Sequence, residues 1–266
     1  MVAPCFNTFN RSPFLGVEPD LPGQIEAAAE AGFTLFGPDV FALDAWTAAG
    51  GRLDDLARRL ADHGMACWEI AGIIIGEREP TLAAAEHIAE LAAVLHPQWV
   101  LTNVMEGDPR SMSGTFDEAC RVMERGGCRP AIEYLPFTPV DSIAEARWLV
   151  DVVGTDRAKI LFDTWHHFRG PDSWEALEAA PLELVAYVQF DDALPMVSDD
   201  LMSETINRRT FPGLGEFDLP RYCDVMRAKG FDGVVSVEIL NAEWREKGDL
   251  REFAKQAYDT TAKLWA

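Results

Sequence analysis

The sequence predicts an α/β fold in which eight parallel strands close into a single (β/α)8 barrel, because short apolar strand-like runs alternate with longer amphipathic helical ones. Eight such units fit in 266 residues, which is the usual size of such a barrel. An open doubly wound sheet is the alternative. That fold usually carries a Gly-rich phosphate loop after its first strand, and neither GxGxxG nor GxxxxGK[ST] occurs in the chain. The barrel is therefore the favoured architecture.

The predicted strands are short and mostly apolar: APCFNTF (3–9), FTLFG (33–37), MACWEI (65–70), WVLTNV (99–104), AIEYL (131–135), KILFD (159–163), AYVQF (186–190) and GVVSVEIL (233–240). Helical patterns lie between them, and Gly32 and Gly64 stand where a glycine ends a helix. We expect Thr81, Thr115 and Asp141 to cap the starts of three helices.

Composition limits the classes of partner. The formal net charge of −21 would repel a phosphate backbone, so nucleic-acid binding is not expected. The sequence contains no run of about 18 apolar residues, which predicts no membrane span. The N-terminal residues lack the pattern of a signal peptide. The five cysteines are odd in number and show no metal-ligand spacing, so we expect a reduced, cytoplasmic protein.

One long connection stands out within an otherwise regular chain. No Ser/Gly linker divides the sequence, so we expect one domain over residues 1–266. The segment 191–218 shows little regular structure beyond a short helical stretch, and a loop of that length in a compact domain is usually functional. We therefore expect a lid-like loop over residues 191–218.

Polar oxygen-bearing side chains interrupt the ends of the last four predicted strands: Glu133, Asp163, Gln189 and Glu238. The active site of a (β/α)8 barrel lies at the C-terminal ends of its strands, so these groups should converge there. Three carboxylates together would raise one another's pKa, and a divalent cation removes that conflict. An all-oxygen set suits Mn²⁺ or Mg²⁺ better than Zn²⁺. A single acid at a strand end is usually a solvated residue or a helix cap, but four together indicate a metal site.

Such a site predicts proton-transfer chemistry. A metal that holds a carbonyl oxygen stabilises the enediolate formed when a proton leaves the neighbouring carbon. Glu133 and Glu238 can then act on opposite faces of that carbon, which gives isomerisation or epimerisation. His166 would hydrogen-bond the oxygen where charge develops, although a histidine at this position also commonly caps or packs. If the intermediate expels a β-hydroxyl, the enzyme is instead a dehydratase. We expect His167 to be structural.

Over nearly the whole chain, and most strongly from Ala131 to Asn241, the sequence resembles the xylose-isomerase-like TIM-barrel superfamily, in its sugar-phosphate isomerase/epimerase branch. The resemblance implies that Glu133, Asp163, Gln189 and Glu238 bind Mn²⁺, Mg²⁺ or Co²⁺, and that Asp163 and His166 form the family's D-x-x-H pair. The family's third ligand is commonly His, and here it is Gln189. The branch includes 3-dehydroshikimate and inosose dehydratases, some with Gln at that position. Some members serve in hetero-complexes, so a catalytically silent partner subunit is a further alternative.

The resemblance also assigns a role to the loop 191–218. The family's Arg-x-x-Pro-Gly-x-Gly segment matches this sequence from Arg209 to Gly215, which implies that the loop closes over substrate and offers Arg208 or Arg209 to it. Pro212, Gly213 and Gly215 are typical of a sharp turn that would fix these arginines over the barrel mouth. An exposed ion pair is the alternative.

The expected substrate is a neutral sugar or polyol, because the third and fourth strands end in WEIAG and TNVMEGD without an arginine for a carboxylate. Phe6, Trp68 and Phe190 would either form a stacking wall for this substrate or pack in the barrel. A small molecule is the only partner that the sequence indicates, and homo-oligomerisation is left open.

Overall fold

The computed structural model describes residues 2–266 and contains a barrel of parallel strands surrounded by helices. The strands are β1 (Ala3–Asn7), β2 (Leu35–Gly37), β3 (Ala66–Cys67), β4 (Glu69–Ile74), β5 (Trp99–Asn103), β6 (Arg129–Glu133), β7 (Lys159–Asp163), β8 (Val185–Phe190), β9 (Asp192–Ala193), β10 (Arg209–Thr210) and β11 (Val234–Val237). The α-helices are α1 (Leu21–Ala31), α2 (Val40–Ala48), α3 (Leu53–Asp62), α4 (Arg78–Leu95), α5 (Pro109–Arg125), α6 (Ile143–Val153), α7 (Thr164–Arg169), α8 (Trp174–Ala179), α9 (Leu201–Asn207), α10 (Leu219–Ala228), α11 (Ala242–Lys247) and α12 (Leu250–Trp265).

Nine strand segments form the barrel sheet in the order β3-β2-β1-β11-β8-β7-β6-β5-β4. β3 and β4 are two halves of one barrel position, separated by Trp68 alone. The Trp68 N–H donates to Phe36 O at 2.9 Å, and Trp68 O accepts from Gln98 N at 2.9 Å. A parallel bridge between Asp39 and Ala71 completes the ring. The predicted eight-position barrel is thereby confirmed.

Each predicted strand is present, but three predicted helix caps are wrong. The helices α4 and α5 begin before Thr81 and Thr115, after Glu77 and Asp108. α6 is capped by Ser142, one residue after Asp141. The reason for the first two errors is proline, which is tolerated in the first helical turn and therefore marks a helix start rather than a break before one. Among residues 2–266, no helix combines the length and apolar character needed to cross a bilayer.

The hydrophobic core has two parts. The larger part lies between the barrel and its helices, and a smaller cluster fills the barrel interior around Trp99, Leu101 and Tyr187. A fully buried carboxyl, Glu69 at the start of β4, lies in this interior and accepts a hydrogen bond from Ser236 Oγ. Burial raises its pKa to about 7, although this hydrogen bond opposes the shift.

The segment 191–218 contains α9 and a small antiparallel pair, β9 with β10. Asp192 fixes the second half of this segment, because the Asp192 carboxylate accepts hydrogen bonds from the backbone N–H groups of Gly213 at 3.0 Å and Gly215 at 2.9 Å. A Cβ at Gly215 would lie 2.3 Å from Ala193 O, so this turn requires glycine. Arg209 begins β10 directly after Arg208, the C-cap of α9, and is held in register opposite Ala193.

Replacing Glu69 by Gln should stabilise the fold in a pH-dependent manner. Because the carboxyl has a folded-state pKa of about 7 against an ordinary 4.5, its favourable contribution is complete at low pH and is lost as pH rises through that window. The advantage of E69Q over the wild type should therefore grow from about pH 4.5 to about pH 7. At 1.36 kcal/mol per pKa unit the total is about 3 kcal/mol.

Urea unfolding of both proteins across this pH range measures the difference. Glu243→Gln, at an exposed position, is the control and should show no such dependence. A constant difference between E69Q and the wild type from low to neutral pH would contradict the assignment.

Candidate active site

The four predicted strand-end side chains lie at one end of the barrel. Glu133 and Asp163 are the last residues of β6 and β7, Gln189 is the penultimate residue of β8, and Glu238 directly follows β11. These strands are consecutive neighbours in the sheet. All four side chains are buried, so they meet in a region from which most water is excluded.

Glu133, Asp163 and His166 form one group of potential metal ligands, with ligand atoms that all lie within 4.8 Å of one another. His166 Nε2 lies 3.2 Å from Glu133 Oε1, and Asn103 Nδ2 donates to the other Glu133 oxygen at 2.8 Å. Asp163 Oδ1 accepts from the His166 backbone N–H at 3.0 Å. Asp163 therefore caps α7, which places the His166 ring beside the acids.

Glu238 lies in a second group. Its Oε1 accepts from Gln189 Nε2 at 3.1 Å and from Asn7 Nδ2 at 3.2 Å. Burial raises the pKa of Glu238 well above its usual range, because the attraction of Arg209 does not offset the loss of water and the repulsion from Glu133 and other acids. The Asn7 amide also lies 3.5 Å from Ser236 Oγ, the hydroxyl that donates to Glu69.

A buried arginine joins the two groups. Arg209 is 2% exposed, and its NH1 lies 2.8 Å from Asp163 Oδ2, 2.6 Å from Asp191 Oδ2 and 3.4 Å from Glu238 Oε2. Burial alone would raise the pKa of Asp163, but Arg209 and His166 outweigh it and the pKa is lowered. Arg209 therefore lies in a buried charge cluster, and the alternative of an exposed ion pair is wrong for this residue.

In each of two pairs of sequence neighbours, one side chain enters the site and the other lies outside it. His166 faces the acids, whereas His167 packs against the rings of Trp174 and Tyr222, where burial lowers its pKa to about 4. Arg209 enters the cluster, whereas Arg208 pairs with Glu204 at 3.1 Å and is part-exposed. The structure therefore does not bring Arg208 to the other predicted substrate-binding residues.

The donor set fits a divalent cation. Gln189 Oε1 is buried without a hydrogen-bond partner, as is His166 Nδ1. An unpaired buried amide oxygen beside carboxylates is costly unless it ligates a cation or accepts a hydrogen bond from water. The guanidinium already present among Asp163, Asp191 and Glu238 shows that this acidic cluster accommodates positive charge.

A cavity of about 200 Å³ opens above this cluster. Its polar lining comes from Asn103, Glu133, His166, Thr205, Arg209 and Glu238. The rest is mainly apolar and includes Phe9, Phe14, Phe41, Ile74, Met105, Leu135, Phe137, Met202, Ile206 and Leu240. Of the two alternatives for the three predicted aromatic residues, the structure shows packing: Phe6 and Phe190 are fully buried in the core between the barrel and its helices, and Trp68 packs against the interior cluster.

Three polar residues of the site were not anticipated from the sequence: Asn7, Asn103 and Asp191. Asn7 and Asn103 end β1 and β5, so the same strand-end rule that predicted Glu133 applies to them. Asp191 follows β8 in the sequence QFDD, and its carboxylate accepts from Thr164 Oγ1 at 2.6 Å as well as from Arg209.

Two kinds of enzyme are similar to the chain in sequence. The chain is 26% identical over 157 residues to an inosose isomerase of Halalkalibacterium halodurans, which covers 58% of this chain and 54% of that protein. It is 27% identical over 237 residues to a 3-dehydroshikimate dehydratase of Pseudomonas aeruginosa, which covers 85% of this chain and 37% of that protein. The chain thus spans about half, or less, of the length of these relatives.

Solved structures show the same fold. An IolI protein with a bound zinc atom superimposes with a TM-score of 0.86 at 20% identity, over 99% of this chain and 98% of that one. An L-ribulose 3-epimerase superimposes with a TM-score of 0.77 at 16% identity, over 100% and 95%. A family model described as a xylose isomerase-like TIM barrel matches residues 25–260. The chain therefore belongs to the xylose isomerase-like TIM-barrel family.

Proposed function

We propose that the protein is a metal-dependent enzyme that moves a proton at the carbon next to the carbonyl of a sugar or cyclic polyol, and so isomerises or epimerises it. One observation carries the proposal: Glu133 and Glu238 line the same cavity from strands that have β7 and β8 between them. Two carboxylates on opposite sides of a bound substrate can act as base and acid on its two faces. The relative named inosose isomerase supports this class of reaction.

Glu133, Asp163, Gln189 and Glu238 would hold one divalent cation, Mn²⁺ or Mg²⁺ in preference to Co²⁺. The unpartnered Gln189 Oε1 supports this assignment, because amide and carboxylate oxygens are hard ligands. When bound, such a cation supplies Lewis-acid stabilisation of negative charge on the substrate oxygens.

The proton path uses this chain's own groups. In one direction Glu133 removes the proton and the C–H electron pair moves toward the carbonyl oxygen. In epimerisation the protonated Glu238 then donates its proton to the opposite face of the same carbon, and the ketone re-forms. In isomerisation Glu238 instead protonates the former carbonyl carbon, and the proton of the neighbouring hydroxyl passes to the former carbonyl oxygen as the hydroxyl-bearing carbon becomes the new carbonyl. His166, which lies 3.2 Å from Glu133, donates a hydrogen bond to the oxygen that gains charge. Arg209, whose NH1 contacts the acids, reaches the substrate from the cavity floor. The segment 191–218 acts as a lid over the substrate.

A dehydratase is the second candidate, because the alignment with the 3-dehydroshikimate dehydratase covers 85% of this chain. The same first step serves both reactions. After Glu133 removes the proton, loss of a hydroxyl from the β-carbon, protonated by Glu238, would give an unsaturated ketone and water. The outcome depends on whether the substrate presents a leaving hydroxyl there.

Glu133→Gln and Glu238→Gln should each lower the conversion of inosose, with its accompanying deuterium uptake from D2O, by about 10²–10⁴-fold, because each variant removes one general acid or base. ¹H NMR of inosose incubated with the Mn²⁺-supplemented protein measures both rates. Glu243→Gln, at an exposed position outside the cavity, is the matched control and should react at the wild-type rate. Wild-type conversion by either cavity variant would remove that residue from the proton path.

Arg209→Ala should lower the free energy of unfolding by about 3–5 kcal/mol in the presence of a chelator, because it leaves Asp163, Asp191 and Glu238 buried without their cation. Saturating Mn²⁺ should restore part of this loss, since it returns positive charge to the cluster. Urea unfolding with and without Mn²⁺ measures both effects.

The control is Arg125→Ala, which breaks an exposed pair with Glu86 whose side chains are 63% and 57% exposed. This change should cost less than about 1 kcal/mol. If Arg209→Ala behaves like Arg125→Ala, the arginine does not hold the acidic cluster together.

A further inference from the structure

The cavity mouth carries an unusual share of the exposed apolar surface. Among residues 2–266, eight large hydrophobic side chains are exposed, and four of them line this one cavity. These are Phe14 at 59%, Ile74 at 57%, Met202 at 41% and Phe41 at 40%. Scattered exposed apolar residues need no explanation, but a contiguous patch at a cavity usually marks a binding surface.

The patch is built by specific local structure. The rings of Phe9 and Phe14 stack at 5.7 Å between centroids, and Phe14 meets Phe41 at 5.1 Å. β4 reaches the mouth through an irregularity in its pairing with β5, between Ala71 and Ile73. Gly72 occupies that point with φ +131, and a Cβ there would lie 2.6 Å from Val40 Cγ1. Such a bulge redirects the following side chains, and Ile74 lies just beyond it at the mouth.

Apart from the proposed cation, whose coordination the hydroxy-ketone oxygens would complete, the cavity offers no free positive charge. Arg209 is the one Lys or Arg side chain among its lining residues, and its NH1 is already within 3.4 Å of three carboxylates. Lining carboxylates Glu133 and Glu238 would repel an anionic group, and the chain as a whole carries −21. A carboxylate or phosphate on the substrate would therefore be desolvated without a partner.

From these observations, and resting on the proposed function, we infer that the substrate is a neutral cyclic hydroxy ketone bearing an apolar substituent. The hydroxy-ketone head reaches the polar floor at Glu133, His166 and Glu238. The apolar substituent, aromatic or alkyl, lies at the mouth against Phe14, Phe41 and Ile74. The patch is continuous with the cavity that holds the reactive groups, which favours one two-part ligand over a separate protein partner.

The test compares cyclic hydroxy ketones that differ in the substituent they carry. Methyl and phenyl 3-keto-β-D-glucopyranoside are neutral hydroxy ketones, and 3-dehydroshikimate is a cyclic hydroxy ketone with a carboxylate. Isothermal titration calorimetry on the full chain in buffer with Mn²⁺ measures the Kd of each. The phenyl compound should bind at least about tenfold tighter than the methyl compound, as expected for added apolar contact in a hydrophobic pocket. 3-Dehydroshikimate should bind most weakly.

The double variant Phe14→Ser/Ile74→Ser should abolish this preference by weakening binding of the phenyl compound about tenfold or more, to the Kd of the methyl compound. Both side chains are more than half exposed, so the substitutions should not disturb folding. Val152→Ser, at an exposed apolar position outside the cavity, is the matched control and should keep the full preference.

Equal affinities for the methyl and phenyl compounds, no binding of either, or tighter binding of 3-dehydroshikimate would overturn the inference. So would a preference for the phenyl compound that survives the double variant. A wild-type dimer that becomes monomeric in the double variant, with equal affinities for both glycosides, would instead assign the patch to subunit contact.

Deuterium uptake by the same ketones separates this inference from the proposed function. Exchange into the methyl compound without a phenyl preference leaves proton transfer intact and rejects the apolar substituent. A phenyl preference without exchange in either compound rejects proton transfer and retains the two-part ligand.

Discussion

One buried guanidinium allows several acids to share the mouth of this barrel. Arg209 NH1 contacts Asp163, Asp191 and Glu238 within 3.4 Å, while His166 lies beside Glu133. Ionised carboxylates in a region this buried are strongly unfavourable unless an opposite charge is close. The barrel brings these acidic strand ends together, and the positive charge of Arg209 offsets the cost of burying them. The same charge requirement makes the site suitable for a divalent metal.

The need to place the Arg209 guanidinium among the acids explains the shape of the segment 191–218. Arg209 comes 46 residues after Asp163 in the chain, so the segment must fold back over the strand ends to place it. The short β9–β10 pair sets its register, and Asn241 Nδ2 donates to Arg209 O at 2.8 Å. Asp192 then anchors the following turn through backbone N–H groups. What resembled an irregular lid is a braced element whose position is coupled to the active-site charges.

Much of this architecture follows from the sequence, because strand order and strand-end position are properties of local pattern. The period of apolar runs predicts the barrel, and the barrel places Glu133, Asp163, Gln189 and Glu238 at one end. The burial of Arg209 was not predictable in this way, because NRRTFPG is locally indistinguishable from an exposed loop. Likewise, the apolar mouth depends on the bulge at Gly72 and on contacts between distant loops. Neither has a signature in hydrophobic periodicity.

If the strand-end acids form a cation site that Arg209 supports, anomalous diffraction from a crystal grown with Mn²⁺ should reveal it. We expect one strong peak with Glu133, Asp163, Glu238 and Gln189 Oε1 at about 2.0–2.4 Å, and with Arg209 still contacting Asp191. A fully occupied Mn²⁺ peak elsewhere on the protein, or none at saturating Mn²⁺, would contradict it.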